Sequence, residues 1–474
     1  MGNMAAMDQS APMTVLAAGY QIRRYSYRTP IKFGGRVVTD AEVFEVTVRV
    51  GHRDGREATG WGAMPLGNAW AWPSTSMDNG ETLGAMRALA KRLVLDCGAD
   101  RPAGHPLDIC HRLAQAYSAT AGELERELEW PEPMPRLAQL VSASPLEAAL
   151  FDAHGKLYQA NSYDLLEASL VGSDLSSFLG GDFEGEDLSR YTRREPKSTM
   201  PLYHLVGALD PLTAADVAEP VGDGLPETLQ DWVHADGLTH FKIKLAGDDL
   251  AWDLERVLAV EQVVAEAQRE RQVEQWFYSA DFNEKCPHVE YLLDFLHGLS
   301  ERAPAALDRL QYLEQPTHRD LKAHPENRMH AAARIKPVVI DESLVDFESL
   351  QLARELGYTG VALKACKGHH EALLMGAAAQ KYNLFLCVQD LTCVGYSFLH
   401  SASLAARIKT VAAIEGNGRQ YCPAGNRGWD QMYPGMFDVQ QGRVGTAVLT
   451  GPGLFGCGQR PADEPPPVER GGDV

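Results

Sequence analysis

Short apolar runs alternate with amphipathic segments through the middle of the chain. Between residues 200 and 420 these runs fall at 202–207, 240–245, 275–281, 310–314, 337–341, 360–364, 384–388 and 410–414. Each run has the length of a buried strand, and each interval is long enough for a helix. Eight such units predict a βα barrel rather than a doubly wound sheet. No G-x-G-x-x-G follows the first run, which argues against a dinucleotide-binding fold.

The first 160 residues have a different pattern. The segment 43–50 alternates apolar and polar residues and is rich in β-branched side chains, which predicts a half-buried strand. Helical patterns dominate from about residue 79 to 156, and Ser144-Pro145 is typical of a helix start. Strands followed by helices predict an α+β domain ahead of the barrel.

Charged and polar side chains end five successive strands of the predicted barrel. In strand order they are Lys242 and Lys244, Asp281 and Asn283, Glu314, Asp341, and Lys364. Side chains alternate along a strand, so the two lysines of strand two share one face. The carboxyl ends of barrel strands meet at one mouth, where these side chains are expected to converge.

This set of side chains predicts proton abstraction next to a substrate carboxylate. Three carboxylates together repel each other unless a cation lies between them, and oxygen-only ligands favour a hard ion such as Mg²⁺. The ion would stabilise the enediolate that forms when the α-proton leaves. A lysine near a metal cation and another lysine can have a lowered pKa and act as a base.

The pattern resembles the enolase superfamily, and most of all its muconate-lactonizing subgroup. That subgroup has Lys-x-Lys on strand two, metal-binding Asp, Glu and Asp on strands three to five, and a lysine on strand six. The matching residues are Lys242-Ile243-Lys244, Asp281, Glu314, Asp341 and Lys364. The resemblance implies that Lys244 and Lys364 are acid/base groups on opposite faces of the substrate. It implies further that the three acids bind Mg²⁺ and that Lys242 helps to hold the substrate carboxylate.

By this resemblance the fold class is α/β, a modified (β/α)₇β TIM barrel with an N-terminal α+β capping domain. The expected segments are a disordered N-terminus (1–14), the capping domain (15–160), a connector (161–200), the barrel (201–420), a C-terminal return to the capping domain (421–458) and a disordered tail (459–474).

Further residues are candidates for substrate binding. Capping-domain loops close over the barrel mouth in this family, which implies a pocket role for residues of the two N-terminal loops: Lys32, Phe33, Trp70 and Trp72. The tryptophans could equally pack on the core of their own domain. Asn283 at strand three, Asp390 after strand seven and Glu415 after strand eight could also contact substrate.

The chain departs from the family after Lys364. Family members often have two glycines there, whereas this chain continues Ala365-Cys366-Lys367-Gly368-His369-His370. Lys367 is therefore a second candidate base, but Lys364 shares a face with Ala362 and is preferred. The two histidines are interpreted as a helix start. Strand seven has no histidine, which sets the mandelate-racemase branch aside.

The predicted function is a Mg²⁺-dependent racemase or epimerase, with a dehydratase or cycloisomerase on the same scaffold as the alternative. Two hypotheses from other classes are a different metal-dependent barrel, such as an aldolase, and a non-catalytic barrel that acts as a binding or scaffold protein.

Charge and targeting patterns restrict the partners. The 44 basic and 64 acidic residues give a formal net charge of −20, which disfavours nucleic acid and anionic lipid. Neither a signal peptide nor a membrane span is predicted, and the eight cysteines form no CxxC pair, so a cytoplasmic protein with reduced thiols is expected. The expected partner is a small-molecule carboxylate, and a homo-oligomer is the default expectation.

Overall fold

Two sheets organise the chain, one antiparallel and one parallel and closed. The computed structural model describes residues 12–33, 36–456, 461 and 466–472. The predicted fold class is confirmed: an eight-stranded parallel barrel follows an N-terminal antiparallel capping domain within the described residues.

The capping domain is built on a long antiparallel hairpin. Its strands are β1 (Met13–Phe33), β2 (Arg36–Gly51), β3 (Glu57–Pro65) and β4 (Ala103–Gly104), and its helices are α1 (Asn68–Ala71), α2 (Asn79–Asp100), α3 (Pro106–Leu128) and α4 (Arg136–Leu157). β1 begins inside the segment that was expected to be disordered. A side chain at Gly60 would place its Cβ 2.2 Å from the Ala153 nitrogen, so this glycine lets α4 lie directly on β3.

Helix α4 is longer than its sequence predicts. It begins at Arg136 and passes through Pro145, where a start was expected. Proline cannot donate to the carbonyl of Val141, and the Ser144 hydroxyl donates to that oxygen instead at 3.0 Å. The Ser-Pro pair therefore repairs the helix interior rather than beginning a helix.

The connector contains short helices only. They are α5 (Ala168–Val171), α6 (Ser176–Leu179) and 3-10 turns at Ser162–Leu165, Gly181–Phe183 and Leu188–Arg190.

Each predicted barrel strand overlaps an observed one. The observed strands are β5 (Thr199–Val206), β6 (His240–Lys244), β7 (Phe277–Asp281), β8 (Leu310–Glu314), β9 (Val338–Ile340), β10 (Gly360–Lys364), β11 (Phe385–Gln389) and β12 (Ile414–Glu415). Neighbours pair in parallel, and β12 pairs with β5 to close the ring.

Helices cover the outside of the barrel. They are α7 (Leu229–Asp236), α8 (Leu250–Glu270), α9 (Val289–Arg302), α10 (Pro304–Arg309), α11 (His330–Ala333), α12 (Phe347–Glu355), α13 (His369–Lys381) and α14 (Tyr396–Arg407), with 3-10 turns at Ala214–Asp216 and Ala365–Lys367. No helix among the described residues is long and apolar enough to cross a membrane.

Side chains that point into the barrel form two layers. The lower layer is an apolar cluster of Tyr203, Tyr312, Val339, Ala362, Cys387 and Ala413. Because side chains alternate along a strand, the next inward positions follow two residues later. On β8 to β12 these positions hold Glu314, Asp341, Lys364, Gln389 and Glu415. A polar layer therefore lies on an apolar floor at the barrel mouth.

The C-terminal segment returns along the barrel and the capping domain. It contains α15 (Gly418–Tyr421), a 3-10 turn at Pro423–Asn426, α16 (Trp429–Met432), β13 (Arg443–Gly445) and β14 (Glu469–Gly472). β13 pairs with β5, and β14 pairs with the edge of β1. The expectation of a disordered tail is wrong for 469–472, because the free edge of β1 supplies backbone partners for this segment.

Candidate active site at the barrel mouth

Lys242 lies at the centre of three carboxylates. Its ammonium nitrogen is 3.1 Å from Asp281 Oδ2, 2.8 Å from Glu314 Oε1 and 3.0 Å from Glu415 Oε2. These residues come from β6, β7, β8 and β12, and all four are buried. The predicted convergence of strand-end side chains therefore holds on this side of the mouth.

Lys244 lies above Lys242 at the end of β6. Its Nζ contacts Asp281 Oδ2 at 2.5 Å and donates to Asn283 Oδ1 at 2.8 Å. Asn283 also donates through Nδ2 to Glu342 Oε1 at 3.2 Å. Asn283 thus fixes the position of the Lys244 ammonium group.

Asp341 is held by two lysines. Lys364 Nζ is 2.9 Å from Asp341 Oδ2, and Lys367 Nζ is 3.0 Å from Asp341 Oδ1. Lys367 also donates to the backbone carbonyl of Asp341. The lysine that replaces the family's glycines therefore lies in the polar layer beside Lys364.

Lys244 and Lys364 lie on opposite sides of the barrel. They end β6 and β10, which are four positions apart in a closed ring of eight described strands. Asp281, Glu314 and Asp341 come from the ends of the three strands between them. The site therefore has two lysines that face each other and an arc of acids along one wall.

The three acids of this arc differ in the direction of their pKa shifts. The pKa of Glu314 is raised well above its ordinary value, first by burial and then by the charge of Asp281. Burial also opposes ionisation of Asp281, but Lys242 and Lys244 outweigh it and lower its pKa. Lys364 and Lys367 likewise lower the pKa of Asp341 against the effect of burial.

Two lysines of the mouth have raised pKa values. Burial alone would lower the pKa of Lys364, but the charge of Asp341 outweighs it and raises that pKa. The pKa of Lys242 is raised in the same way by Asp281, Glu314 and Glu415. Direct contact with carboxylates thus outweighs burial for these two residues. The lowered lysine pKa was predicted beside a metal cation, and it stays a prediction.

The three acids suit a hard divalent cation in their chemistry, although their oxygens do not surround one point. Among the described residues, no three Asp, Glu, His or Cys side chains form such a group. Lys242 lies between Asp281 and Glu314, and Lys364 and Lys367 hold Asp341. The donor set is nevertheless three fully buried carboxylates, whose oxygens are the ligands that a hard divalent cation prefers.

Trp70 of the capping domain closes the Lys364 side of the mouth. Its indole Nε1 donates to Glu342 Oε1 at 2.8 Å, and Lys364 Nζ lies 4.2 Å from the centre of its ring. Arg319 donates from Nη2 to the Trp70 carbonyl at 3.0 Å. Trp70 and Lys364 are each 5% exposed, so both side chains are buried where the capping domain meets the barrel.

The other predicted loop residues lie elsewhere. Trp72 donates to Glu132 Oε1 at 2.6 Å and packs edge-on against Trp130, so it belongs to the capping domain's own core. The Lys32 side chain is exposed at the tip of the β1–β2 hairpin. The side chain of Phe33 lies outside the described part of the chain.

Asp390 joins the ends of the last two barrel strands. Its Oδ1 accepts from the Cys393 nitrogen and its Oδ2 from the Asn417 nitrogen, both at 2.8 Å. Burial and the nearby charge of Glu415 raise the pKa of Asp390 to about 6. Both carboxylate oxygens of Asp390 therefore bind backbone, whereas Glu415 faces the mouth beside Lys242.

Two buried groups of the site were not predicted. Glu342 accepts from Trp70 and Asn283, and burial followed by the charge of Asp341 raises its pKa to about 7. Gln389 donates from Nε2 to Glu314 Oε2. The only sequence signals for them were the position of Glu342 directly after Asp341 and that of Gln389 at the end of an apolar run.

Comparison with known families supports the barrel assignment. A family model described as "Enolase C-terminal domain-like" matches residues 224–455. The matched segment covers most of the barrel, and the predicted resemblance to the enolase superfamily is confirmed. No curated protein matches the sequence significantly.

Solved structures of this superfamily share the whole architecture. A dipeptide epimerase from Cytophaga hutchinsonii, complexed with Mg and D-Ala-L-Val, has a TM-score of 0.62 at 15% identity, over 97% of this chain and 99% of that one. The L-Ala-D/L-Glu epimerase of Bacillus subtilis has a TM-score of 0.60 at 16% identity, over 93% and 98%. Muconate lactonizing enzyme from Pseudomonas fluorescens has a TM-score of 0.56 at 18% identity, over 94% and 96%. At these identities the likeness shows the fold alone.

Proposed function

We propose that this protein is a metal-dependent racemase or epimerase that removes and returns the proton next to a substrate carboxylate. The observation that carries the proposal is the opposition of Lys244 and Lys364 across the barrel mouth. An α-carbon between them becomes planar when its proton leaves, and either lysine can then supply a proton to its own face. Two opposed acid/base groups therefore favour inversion of the stereocentre.

In this proposal Asp281, Glu314 and Asp341 hold Mg²⁺. When bound, the ion would stabilise the negative charge that develops on the substrate carboxylate. Support comes from the oxygen-only donor set and from the dipeptide epimerases of Cytophaga hutchinsonii and Enterococcus faecalis, which were solved as complexes with Mg.

In this proposal two lysines transfer protons, and neighbouring side chains position them. Lys364, which contacts Asp341, would donate a proton to one face of the substrate, while Lys244 removes the proton from the other face. The reverse reaction exchanges these roles. Asn283 orients Lys244, and the Trp70 ring confines Lys364 and excludes water from it.

Proton exchange in D₂O tests the proposal. The protein would be incubated with Mg²⁺ and a panel of dipeptides, N-acylated and N-methylated amino acids, sugar acids and aryl succinates. Mass spectrometry would measure a one-unit gain at the α-carbon, and chiral chromatography would measure inversion. We expect both, with loss of both in Asp341→Ala and loss of inversion in Lys364→Ala.

Other outcomes identify the alternatives. Exchange without inversion, or with release of a leaving group, would indicate a dehydratase or cycloisomerase on the same scaffold. Activity that survives Lys244→Ala would point to different barrel chemistry, such as that of an aldolase. Absence of both exchange and Mg²⁺ binding would reject catalysis and favour a binding or scaffold protein.

A further inference from the structure

A buried ion pair joins the capping domain to the barrel segment behind Lys364. Glu147 on α4 accepts from His370 Nδ1 at 2.8 Å and from the His370 backbone nitrogen at 3.1 Å. Its other oxygen accepts from the Tyr117 hydroxyl of α3 at 3.1 Å. Glu147 and His370 both have 0% exposure. One carboxylate thus connects two capping-domain helices with the start of α13.

The same carboxylate also fixes the turn that follows Lys364. This turn is the 3-10 segment Ala365–Lys367, and it ends at Gly368 with φ of +96°. A Cβ on Gly368 would lie 2.7 Å from Glu147 Oε2 and 2.8 Å from Oε1. Glycine is therefore required for both the backbone conformation and the close approach of Glu147.

The turn carries the groups that grip Asp341. Lys364 enters it and Lys367 ends its 3-10 segment, and the two lysines contact opposite oxygens of the Asp341 carboxylate. Lys364 is also held under Trp70. A shift of the turn would therefore move Lys364, whereas Lys244 is held on the far side of the barrel by Asp281 and Asn283.

The chemistry of the Glu147–His370 ion pair suits it to fix the position of the turn more than to stabilise the fold. Burial opposes protonation of His370, but the charge of Glu147 outweighs it and raises the pKa of His370 to about 10. His370 is therefore protonated at neutral pH, and its ring faces the Glu147 carboxylate. Well-packed apolar residues stabilise a core at least as well as a buried ion pair, whereas the pair fixes a position through directed hydrogen bonds.

We infer that Glu147 is a positioning residue for Lys364, through which the capping domain sets the placement of one of the two acid/base groups. The inference rests on the proposed function, because it takes Lys364 as a group that exchanges the α-proton. Glu147 itself is fully buried behind the turn, and its hydrogen-bond partners Tyr117 and His370 lie outside the polar layer of the barrel mouth.

Glu147→Gln is the first test, with Tyr117→Phe as the matched control. The control removes a hydrogen bond from the same carboxylate but leaves its contacts with His370. Exchange in D₂O would be measured separately for each pure enantiomer. We expect Glu147→Gln to slow exchange of the Lys364-face enantiomer on the order of 10- to 100-fold, as misplacement of a catalytic group does, and the other enantiomer less than about 2-fold. Tyr117→Phe should leave the ratio of the two rates unchanged.

A second readout does not depend on activity. Acylation of Lys364 and Lys244 by acetic anhydride would be followed by peptide mass spectrometry in the full-length protein. Glu147→Gln should speed labelling of Lys364 several-fold relative to Lys244. His370→Gln, which removes the partner on the barrel side, should reproduce both effects, and circular dichroism would establish that each variant is folded.

The results separate this inference from the proposed function. If the unaltered protein exchanges neither enantiomer, the proposed function fails, and the ratio of labelling rates still decides whether Glu147 positions Lys364. Equal slowing of both enantiomers with equal labelling of both lysines would overturn the inference. Failure of both variants to fold would also overturn it, because Glu147 would then act only in stability.

Discussion

At the scale of single residues, the two lysines of the mouth have different surroundings. Lys244 is held by polar partners on β7 and its loop, and Lys364 by Asp341 and an aromatic ring. Each is therefore expected to serve one face of the substrate. Lys364→Ala should slow α-proton exchange of one enantiomer by about 10²- to 10⁴-fold, the usual contribution of a general acid or base, and Lys244→Ala should do so for the other. Deuterium uptake by each pure enantiomer measures the exchange rate. If each variant slowed exchange of both enantiomers equally, the assignment of one lysine to each face would be contradicted.

Trp70 offers a second prediction at this scale. Its ring covers the Lys364 ammonium and its indole nitrogen binds Glu342, so it both confines the lysine and closes the mouth. Trp70→Ala should lower kcat/KM about tenfold or more and speed acylation of Lys364, while Trp70→Phe, which retains a ring, should lose less. Trp72→Phe is the matched control, since Trp72 binds Glu132 inside the capping domain, and it should leave kcat/KM within about twofold. A larger effect in the control than in Trp70→Ala would reject the role of Trp70.

The sequence predicts some of these residues and not others for physical reasons. Asp281, Glu314 and Lys364 each end an apolar run, so strand alternation alone assigns their direction. Trp70 and Trp72 could not be distinguished, because they stand two residues apart at a short helix, α1, whose contacts depend on the barrel. The carboxylate partners of each lysine could not be predicted either, since they depend on how neighbouring strands place their side chains, and these partners set the lysine pKa values.

At the scale of elements, the first turn of α13 contains a buried charged residue, His370. The ordinary pKa of His370 is 6.5, and in the folded protein it is about 10. Unfolded chains lose this proton near pH 6.5, whereas the folded protein keeps it to about pH 10, so the stability from the pair is complete below 6.5 and is lost as pH rises through 10. Between pH 6.5 and about 10, the melting temperature of the unaltered protein should therefore fall more steeply than that of His370→Gln. Calorimetry at matched ionic strength measures how the melting temperature of each protein changes with pH. Equal slopes for the two proteins would show that the pair does not stabilise the fold.

Element boundaries show where sequence patterns stop being informative. Barrel strands are buried on both faces, so most of their residues are apolar and the sequence displays each strand as a short apolar run with few polar side chains. The eighth run was predicted at 410–414, but the strand is only Ile414–Glu415, because Lys409 and Thr410 form a turn. Strand β14 gave no apolar signal, since Glu469–Gly472 is held by backbone bonds and by a contact of 2.5 Å between Glu469 and Lys91.

At the scale of the whole molecule, the acids of the mouth belong to a chain with a formal net charge of −20. A divalent cation that binds the folded mouth, and not the unfolded chain, should stabilise the entire protein. At a concentration 100 times the dissociation constant, such binding contributes about 2.7 kcal/mol to the free energy of unfolding. We therefore expect Mg²⁺ to raise the melting temperature beyond the effect of NaCl at equal ionic strength.

Substitutions within the polar layer can show which carboxylates are responsible for the rise in melting temperature with Mg²⁺. Asp281→Asn should abolish the gain with Mg²⁺, because it removes one carboxylate of the arc. Glu415→Gln is the matched control, since it removes an acid that also contacts Lys242 but lies on β12, outside the three strands between the opposed lysines. Thermal melts of the three proteins with and without Mg²⁺ measure this. Equal gains in all of them would place the cation elsewhere on the acidic surface, and loss of the gain only in Glu415→Gln would move the ligand set toward β12.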